Sequence, residues 1–267
     1  MNWLLLDVGN SALKWAVVDV GAVVDVGAPN AVESRALLPA SDGPIALAGD
    51  LRRLARRLGA AFGCSVAGAE ATRAVEVAVK DAADVPVTWF ASQAEFASAE
   101  LRLRNRYRDP AQLGADRWHA MLAARAAHPD RALVVVNAGT ATTVDCVSAD
   151  GWFAGGVIAP GVRLMFDSLA RHTAQLPRAD GDLVAQPDNT DDAITTGVLE
   201  CQLGLIERRV RRCDATAGPV RVLIDGGNAA ALRAHLRLDP QLAEVRAERN
   251  LVLRGVLLRA RAAGAAR

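Results

Sequence analysis

The feature that most restricts this chain is a strand, a glycine-containing polar loop and a second strand that occur twice, as LLLDVGNSALK at 4–14 and as VVVNAGTATTVD at 134–145. In each copy a run of large aliphatic residues ends in Asp or Asn, a glycine lets the backbone approach closely, and donors follow. These are Asn10 and Ser11 in the first copy and Thr140, Thr142 and Thr143 in the second. A phosphate chain needs clustered N–H and O–H donors without bulky side chains, together with a magnesium ion held by carboxylate or water. Gly9, Asn10, Ser11 and Lys14, with Gly139, Thr140 and Thr142, are therefore candidate phosphate contacts. Asp7, at the tip of the first strand, is placed to hold the ion directly or through water. One such loop alone reads equally as a tight hairpin turn, where Asn, Asp and Gly are common for conformational reasons. Its occurrence in both halves favours the binding reading.

The surrounding segments repeat the same grammar. Residues 3–8, 12–18 and 22–26 read as strands, 47–58 as a helix with one basic face, 65–67 as a strand, 70–79 as a helix and 85–90 as a strand. In the second half, 133–136, 141–147 and 152–158 read as strands. Helices follow at about 162–174, 191–212, 229–236 and 251–263, and the 191–212 helix is expected to be buried along much of its surface. A shorter repeat, VVDVGA at 17–22 and 23–28, reads as two adjacent hairpin strands. The predicted organisation is α/β, with domains at 1–114 and 115–267 packed closely around a cleft.

At 267 residues the chain can bury a substantial core. Lys and Arg total 31 against 30 Asp and Glu, a formal charge of +1, so no global field favours nucleic acid or an anionic membrane as partner. Apolar runs stay far below the roughly 18–20 residues of a membrane span, and the N-terminus reads as a strand rather than a leader. Cys64, Cys146, Cys201 and Cys213 form no CxxC pair and have no histidines at zinc spacing, which predicts free thiols and a reducing, cytoplasmic setting.

The duplicated loops resemble those of the actin, Hsp70 and sugar kinase superfamily, whose two ribonuclease H-like domains clamp ATP. Within it, Tyr107, Pro110, Leu113, Gly114, Asp116 and Arg117 in YRDPAQLGADRW match the pattern of type III pantothenate kinases. So do GGVIAPG at 155–161, Leu176 with Pro177, NTDDAITTG at 189–197 and IDGGNA at 224–229. The resemblance implies ATP-dependent phosphorylation of pantothenate to 4'-phosphopantothenate, the first step of coenzyme A synthesis, by a homodimer. It also implies Mg2+ with ATP and a monovalent cation, K+ or NH4+. Asp116 becomes the catalytic carboxylate, Tyr107, Gly114 and Arg117 the pantothenate site, and Thr190 a contact from the partner subunit. Gly226 and Gly227 become the adenosine-side turn.

One departure stands out. The family usually carries Asp where this chain has Asn137, which puts the monovalent-cation response in question, with Asp145 left as a second carboxylate for metal. Asp116 and Arg117 also read as helix-start residues. His119 reads as structural, and Arg208, Arg209, Arg211 and Arg212 as a basic helix end. Two other readings remain: a non-catalytic transcriptional accessory factor on the same scaffold, and another small-molecule kinase of the superfamily.

Overall fold

A strand buried on both faces needs a continuous apolar run instead of alternation, and the chain supplies two. Leu4, Leu5 and Leu6 in β1 (Asn2–Val8) are fully buried, as are Leu133, Val134 and Val136 in β8 (Leu133–Ala138). Each forms the centre of a sheet. The computed structural model describes residues 1–20, 32–37, 42–53, 58–98, 101–173, 179–213 and 218–265. Two units are resolved, Met1–Ala127 with Asn250–Arg267, and His128–Arg249.

In the first unit, β1 pairs antiparallel with β2 (Ala12–Asp19), which pairs antiparallel with β3 (Val32–Leu37). On its other side β1 pairs parallel with β4 (Leu58–Ser65), and β4 with β5 (Val87–Trp89), giving the order β3-β2-β1-β4-β5. The crossovers are α1 (Asp42–Arg53) and α2 (Gly68–Ala83). A hairpin outside that five-stranded sheet, β6 (Glu95–Ala97) with β7 (Arg102–Asn105), precedes α3 (Ala115–Ala127).

The second unit repeats that arrangement. Strand β8 pairs antiparallel with β9 (Ala141–Val147), β9 antiparallel with β10 (Trp152–Pro160), and β8 parallel with β11 (Val220–Asp225), which pairs parallel with β12 (Ala243–Ala247). The order β10-β9-β8-β11-β12 is that of the first unit. Its helices are α4 (Val162–His172), α5 (Thr190–Val210) and α6 (Ala229–His235). The chain then returns to the first unit as α7 (Leu251–Ala265).

Facing residues follow from register. In the first unit Leu4, Leu6, Val8, Leu13 and Trp15 pack on Leu47 and Leu51 of α1 and Val75 and Val79 of α2. In the second, Val134, Val136, Ala138 and Val144 pack on Leu203, Ile206 and Val210 of α5 and Leu232 of α6. The opposite face of each central strand carries the polar tip: Asp7 in β1 and Asn137 in β8.

Several expectations are corrected. The strand placed at 65–67 is β4 at 58–65. Its run of small residues hides its strand character, and Gly63 is needed because a Cβ there would lie 2.7 Å from Trp89 and 2.8 Å from Leu6. Helix α5 is buried on one face only, with Gly197, Cys201 and Gly204 exposed on the other. The third strand of the first sheet lies at 32–37; the strand expected at 22–26 and the second VVDVGA copy lie outside the described residues, as do Leu176 and Pro177. Gly114 lies within the first unit, where α3 packs against α7 so tightly that a Cβ on Gly255 would lie 1.9 Å from His119 O.

Candidate active site

The first loop is closed by Gly9 N–H donating to Ala12 O at 2.9 Å, with Asn10 and Ser11 between the strands. At the end of β1, Asp7 is register partner to Lys14 on β2 and to Cys64 on β4. Lys14 Nζ donates to Asp7 Oδ2 at 3.2 Å, and the Asp7 side chain is only 7% exposed. Burial pushes the Cys64 thiol far above the ordinary thiol range, and the charges of Asp7 and Asp116 push it further while Lys14 opposes them. Cys64 on β4 thus lies beside Asp7, and α3, which carries Asp116, packs against the same strand.

Asp116 occupies the first turn of α3, where a carboxylate is favoured by the helix dipole, and its Oδ1 accepts from Arg117 N at 2.8 Å. Gly114 leaves room for it: a Cβ there would lie 2.6 Å from Asp116 Oδ1. Arg117 is almost fully buried and donates from Nη1 to Tyr107 OH at 3.2 Å, its guanidinium 5.9 Å from the ring centroid. Tyr107, Gly114, Asp116 and Arg117 thus belong to one cluster. Beside it lies a cavity of about 490 Å³, lined among others by Ser65, Val66, Trp89, Ser92, Gln112 and Gly114. That size suits a small organic acid, and its walls mix apolar rings with hydroxyls.

In the second unit Gly139 N–H donates to Ala141 O at 3.1 Å, and Gly161 N–H donates to Thr140 O at 2.9 Å. A Cβ on Gly161 would lie 2.3 Å from Gly139 O. Gly226, at φ +106°, has no room for a Cβ either, since one would sit 2.6 Å from Ala138 O; Asn228 N–H donates to that same oxygen at 3.0 Å. The turn carrying Gly226 and Gly227 is therefore drawn onto the β8–β9 loop by backbone contacts that only glycine permits. Thr142 Oγ1 is fully buried with no protein partner, an orphaned hydroxyl at the same loop.

Register separates the remaining residues. Asn137 faces Thr143 on β9 and Asp225 on β11, and Asp145 lies two residues farther along β9 on that face, opposite Val135 and Gly156. Thr142 points to the other face, among the residues under α5. The row Thr143, Asn137, Asp225 is the counterpart of Lys14, Asp7, Cys64. A single-sequence reading overlooks Asp225 because only the parallel pairing of β8 and β11 places it beside Asn137. Thr190 is exposed in the first turn of α5, whose N-cap Asn189 accepts from Asp192 N at 3.0 Å.

Among the described residues no group of three or more His, Cys, Asp or Glu side chains gathers to hold a metal. A magnesium ion that arrives on the phosphates of ATP and keeps most of its waters needs only one or two carboxylates. Asp7, buried beside its loop, fits that demand.

A family model for type III pantothenate kinases matches residues 3–212. The chain belongs to the type III pantothenate kinase family. The family's member from Aromatoleum aromaticum is 41% identical over 263 residues, covering 98% of this chain and 99% of that protein. The member from Janthinobacterium sp. is also 41% identical over 263 residues, covering 95% of each. Among solved structures, a provisional Baf family transcriptional activator from Campylobacter jejuni aligns with a TM-score of 0.57 at 18% identity, covering 98% of this chain and 99% of that one. Component A of (R)-2-hydroxyglutaryl-CoA dehydratase from Acidaminococcus fermentans aligns at 0.51 and 13% identity, covering 96% and 95%. At these identities the likeness concerns the fold, an actin-like α/β duplication. No helix among the described residues is long and apolar enough to cross a membrane.

Proposed function

We propose that this chain transfers the γ-phosphoryl group of ATP to the primary hydroxyl of pantothenate, yielding 4'-phosphopantothenate and ADP. The observation that carries the reading is the Tyr107, Arg117 and Asp116 cluster of the first unit, found in a chain of which 98% aligns with a type III pantothenate kinase.

Arg117 is the cation for the carboxylate of pantothenate; a guanidinium presents two parallel donors to such a group, and its hydrogen bond to Tyr107 fixes the plane. Asp116 accepts the hydrogen bond of the acceptor hydroxyl and takes its proton as the phosphoryl group arrives. In a loose phosphoryl-transfer transition state the proton leaves late, so placement of the hydroxyl matters more than the basicity of the carboxylate. Backbone donation from Arg117 N holds that carboxylate in one orientation.

The phosphate chain of ATP is served by the loop amides at Gly9, Asn10 and Ser11 and at Gly139 and Thr140, and by Lys14, whereas the Thr142 side chain is turned into the core under α5 and is left out of that set. Asp7 would hold the magnesium ion that comes with ATP, and that ion would supply charge neutralisation at the phosphates. Gly226 and Gly227 serve the adenosine side. A monovalent cation has Asn137 with Asp225 and Asp145 as candidate ligands. The exposed face of α5 at Gly197, Cys201 and Gly204 supports a homodimer in which Thr190 reaches a partner's acceptor site. A cytoplasmic setting fits cysteines that are all free.

A coupled assay for ADP, with and without pantothenate and with K+ or NH4+ varied, tests this reading. ADP formation that depends on pantothenate supports it. Pantothenate-independent turnover, or none under any ionic condition, returns the chain to an accessory role or to another acceptor.

A further inference from the structure

We propose that Asn105 is a positioning residue for acceptor binding, its single carboxamide clamping the loop that presents Tyr107 to Arg117. The inference rests on the reading of Tyr107 and Arg117 as pantothenate contacts. Asn105 ends β7, and its backbone N–H donates to Ala94 O at 2.8 Å, which fixes the residue to the β6–β7 hairpin. From that anchor the side chain, 8% exposed with its residue, reaches forward twice. Oδ1 accepts from Tyr107 N at 3.0 Å, and Nδ2 donates to Pro110 O at 3.2 Å.

The two contacts span the loop. Pro110 begins a short 3-10 turn, Pro110–Gln112, whose N-cap Asp109 accepts from Ala111 N at 3.0 Å. Pro110 O also accepts from Leu113 N at 3.3 Å, and Leu113, nearly fully buried, leads directly into Gly114 and α3. Asn105 therefore fixes the backbone at Tyr107 and at the entrance to α3 with one group. Tyr107 is the only tyrosine in the chain, and its hydroxyl receives Arg117 Nη1 at 3.2 Å. A shift of the Tyr107 backbone moves that hydroxyl and with it the plane of the guanidinium.

The chemistry selects asparagine. The site needs an acceptor toward an amide N–H and a donor toward a carbonyl oxygen at once. An aspartate offers acceptors alone and would set a carboxylate against Pro110 O, while a serine hydroxyl is too short to span both. Asn105 touches neither reacting atoms nor the nucleotide loops in this arrangement, so its effect is expected in acceptor affinity.

Steady-state kinetics on the full chain test this, with pantothenate varied at saturating MgATP and ATP varied at saturating pantothenate. Asn105→Ala is expected to raise KM for pantothenate roughly tenfold, the scale of one buried hydrogen bond left unmade, with kcat and KM for ATP within about twofold of wild type. Asn105→Asp, which keeps the acceptor and loses the donor, is expected to shift the same constant, and decides the matter if the alanine variant does not fold by circular dichroism. Because Asn105 acts through Tyr107, the double variant Asn105→Ala with Tyr107→Phe is expected to show no more than the larger single effect. The proposal is overturned if the two effects multiply, if kcat and KM for ATP move in step with KM for pantothenate, or if KM for pantothenate does not move. When that last result is accompanied by raised KM in Tyr107→Phe and Arg117→Lys, the acceptor-site reading stands and only the role of Asn105 falls. When those two variants are also unchanged, the acceptor-site reading falls first and this inference with it.

Discussion

Lys14 and Asp7 are opposed across the first hairpin, with Nζ 3.2 Å from Oδ2 and the carboxylate side of the pair nearly buried. The lysine thus stabilises a charge that burial would otherwise penalise, and it keeps its own charge beside the first phosphate loop. Lys14→Ala is expected to raise KM for ATP about tenfold and to cost about 1–2 kcal/mol of stability, because it leaves a buried carboxylate without this partner. Lys14→Arg should recover much of the stability. Kinetics in ATP together with urea midpoints check both, and an alanine variant unchanged in both would remove the pair from the site.

The counterpart row of the second unit, Thr143, Asn137 and Asp225, carries its carboxylate one strand away from the family's usual position. Asn137→Asp puts a second acid directly beside Asp225. Two neighbouring carboxylates attract a cation more strongly than one, so the half-maximal K+ or NH4+ concentration for activation should fall several-fold. Thermal shift against the same salts reads the binding independently of turnover. An unchanged salt response in both assays counts against a cation at this row.

Close approach of α3 and α7 is a second point of leverage. A methyl group at Gly255 would meet the backbone oxygen of His119 at 1.9 Å, and backbone cannot swing aside as a side chain can. Gly255→Ala is expected to destabilise the fold by about 2–3 kcal/mol or more. Urea denaturation measures it, and a loss within about 0.5 kcal/mol would mean that the helices separate freely.

His119 gives the stability a pH dependence. Its Nδ1 donates to Ala115 O at 2.6 Å, so the neutral ring leaves Nε2 unprotonated, buried and without a partner. Burial pulls its pKa down to about 4, and the nearby Arg259 charge contributes in the same direction. The folded value lies below the unfolded one of about 6.5, so between them the unfolded chain binds more protons. This contribution is complete above about pH 6.5 and is lost as pH falls toward 4, by about 3 kcal/mol in all. Unfolding free energies at pH 7.5 and 4.5 should show that slope in the wild type and a shallower one in His119→Gln. Parallel slopes would contradict it.

Local signals in the sequence were enough to place most strands and helices. Leu4 to Leu6 and Leu133 to Val136 announce central strands, and the loops at Gly9 and Gly139 announce hairpins, because these preferences act over a few residues. Strands β6, β7 and β12 were not legible: they are 3, 4 and 5 residues long, too short for a period to emerge. The Asp116 neighbourhood was legible as a motif, but the placement of Cys64 beside Asp7 was not. It depends on the parallel register of β1 and β4, which is set by packing between segments far apart in sequence. Asp225 and Gly255 stayed hidden for the same reason.

The most direct measurement is mass-spectrometric detection of 4'-phosphopantothenate from purified protein, MgATP and pantothenate, with Asp116→Asn beside the wild type and calorimetry with a non-hydrolysable ATP analogue on both. Wild-type protein is expected to form the product, and Asp116→Asn to form it about 10²- to 10⁴-fold more slowly while binding the analogue with affinity unchanged within a few-fold. Product formed at equal rates by the two proteins, or by neither, would contradict the assignment of Asp116 and of the reaction.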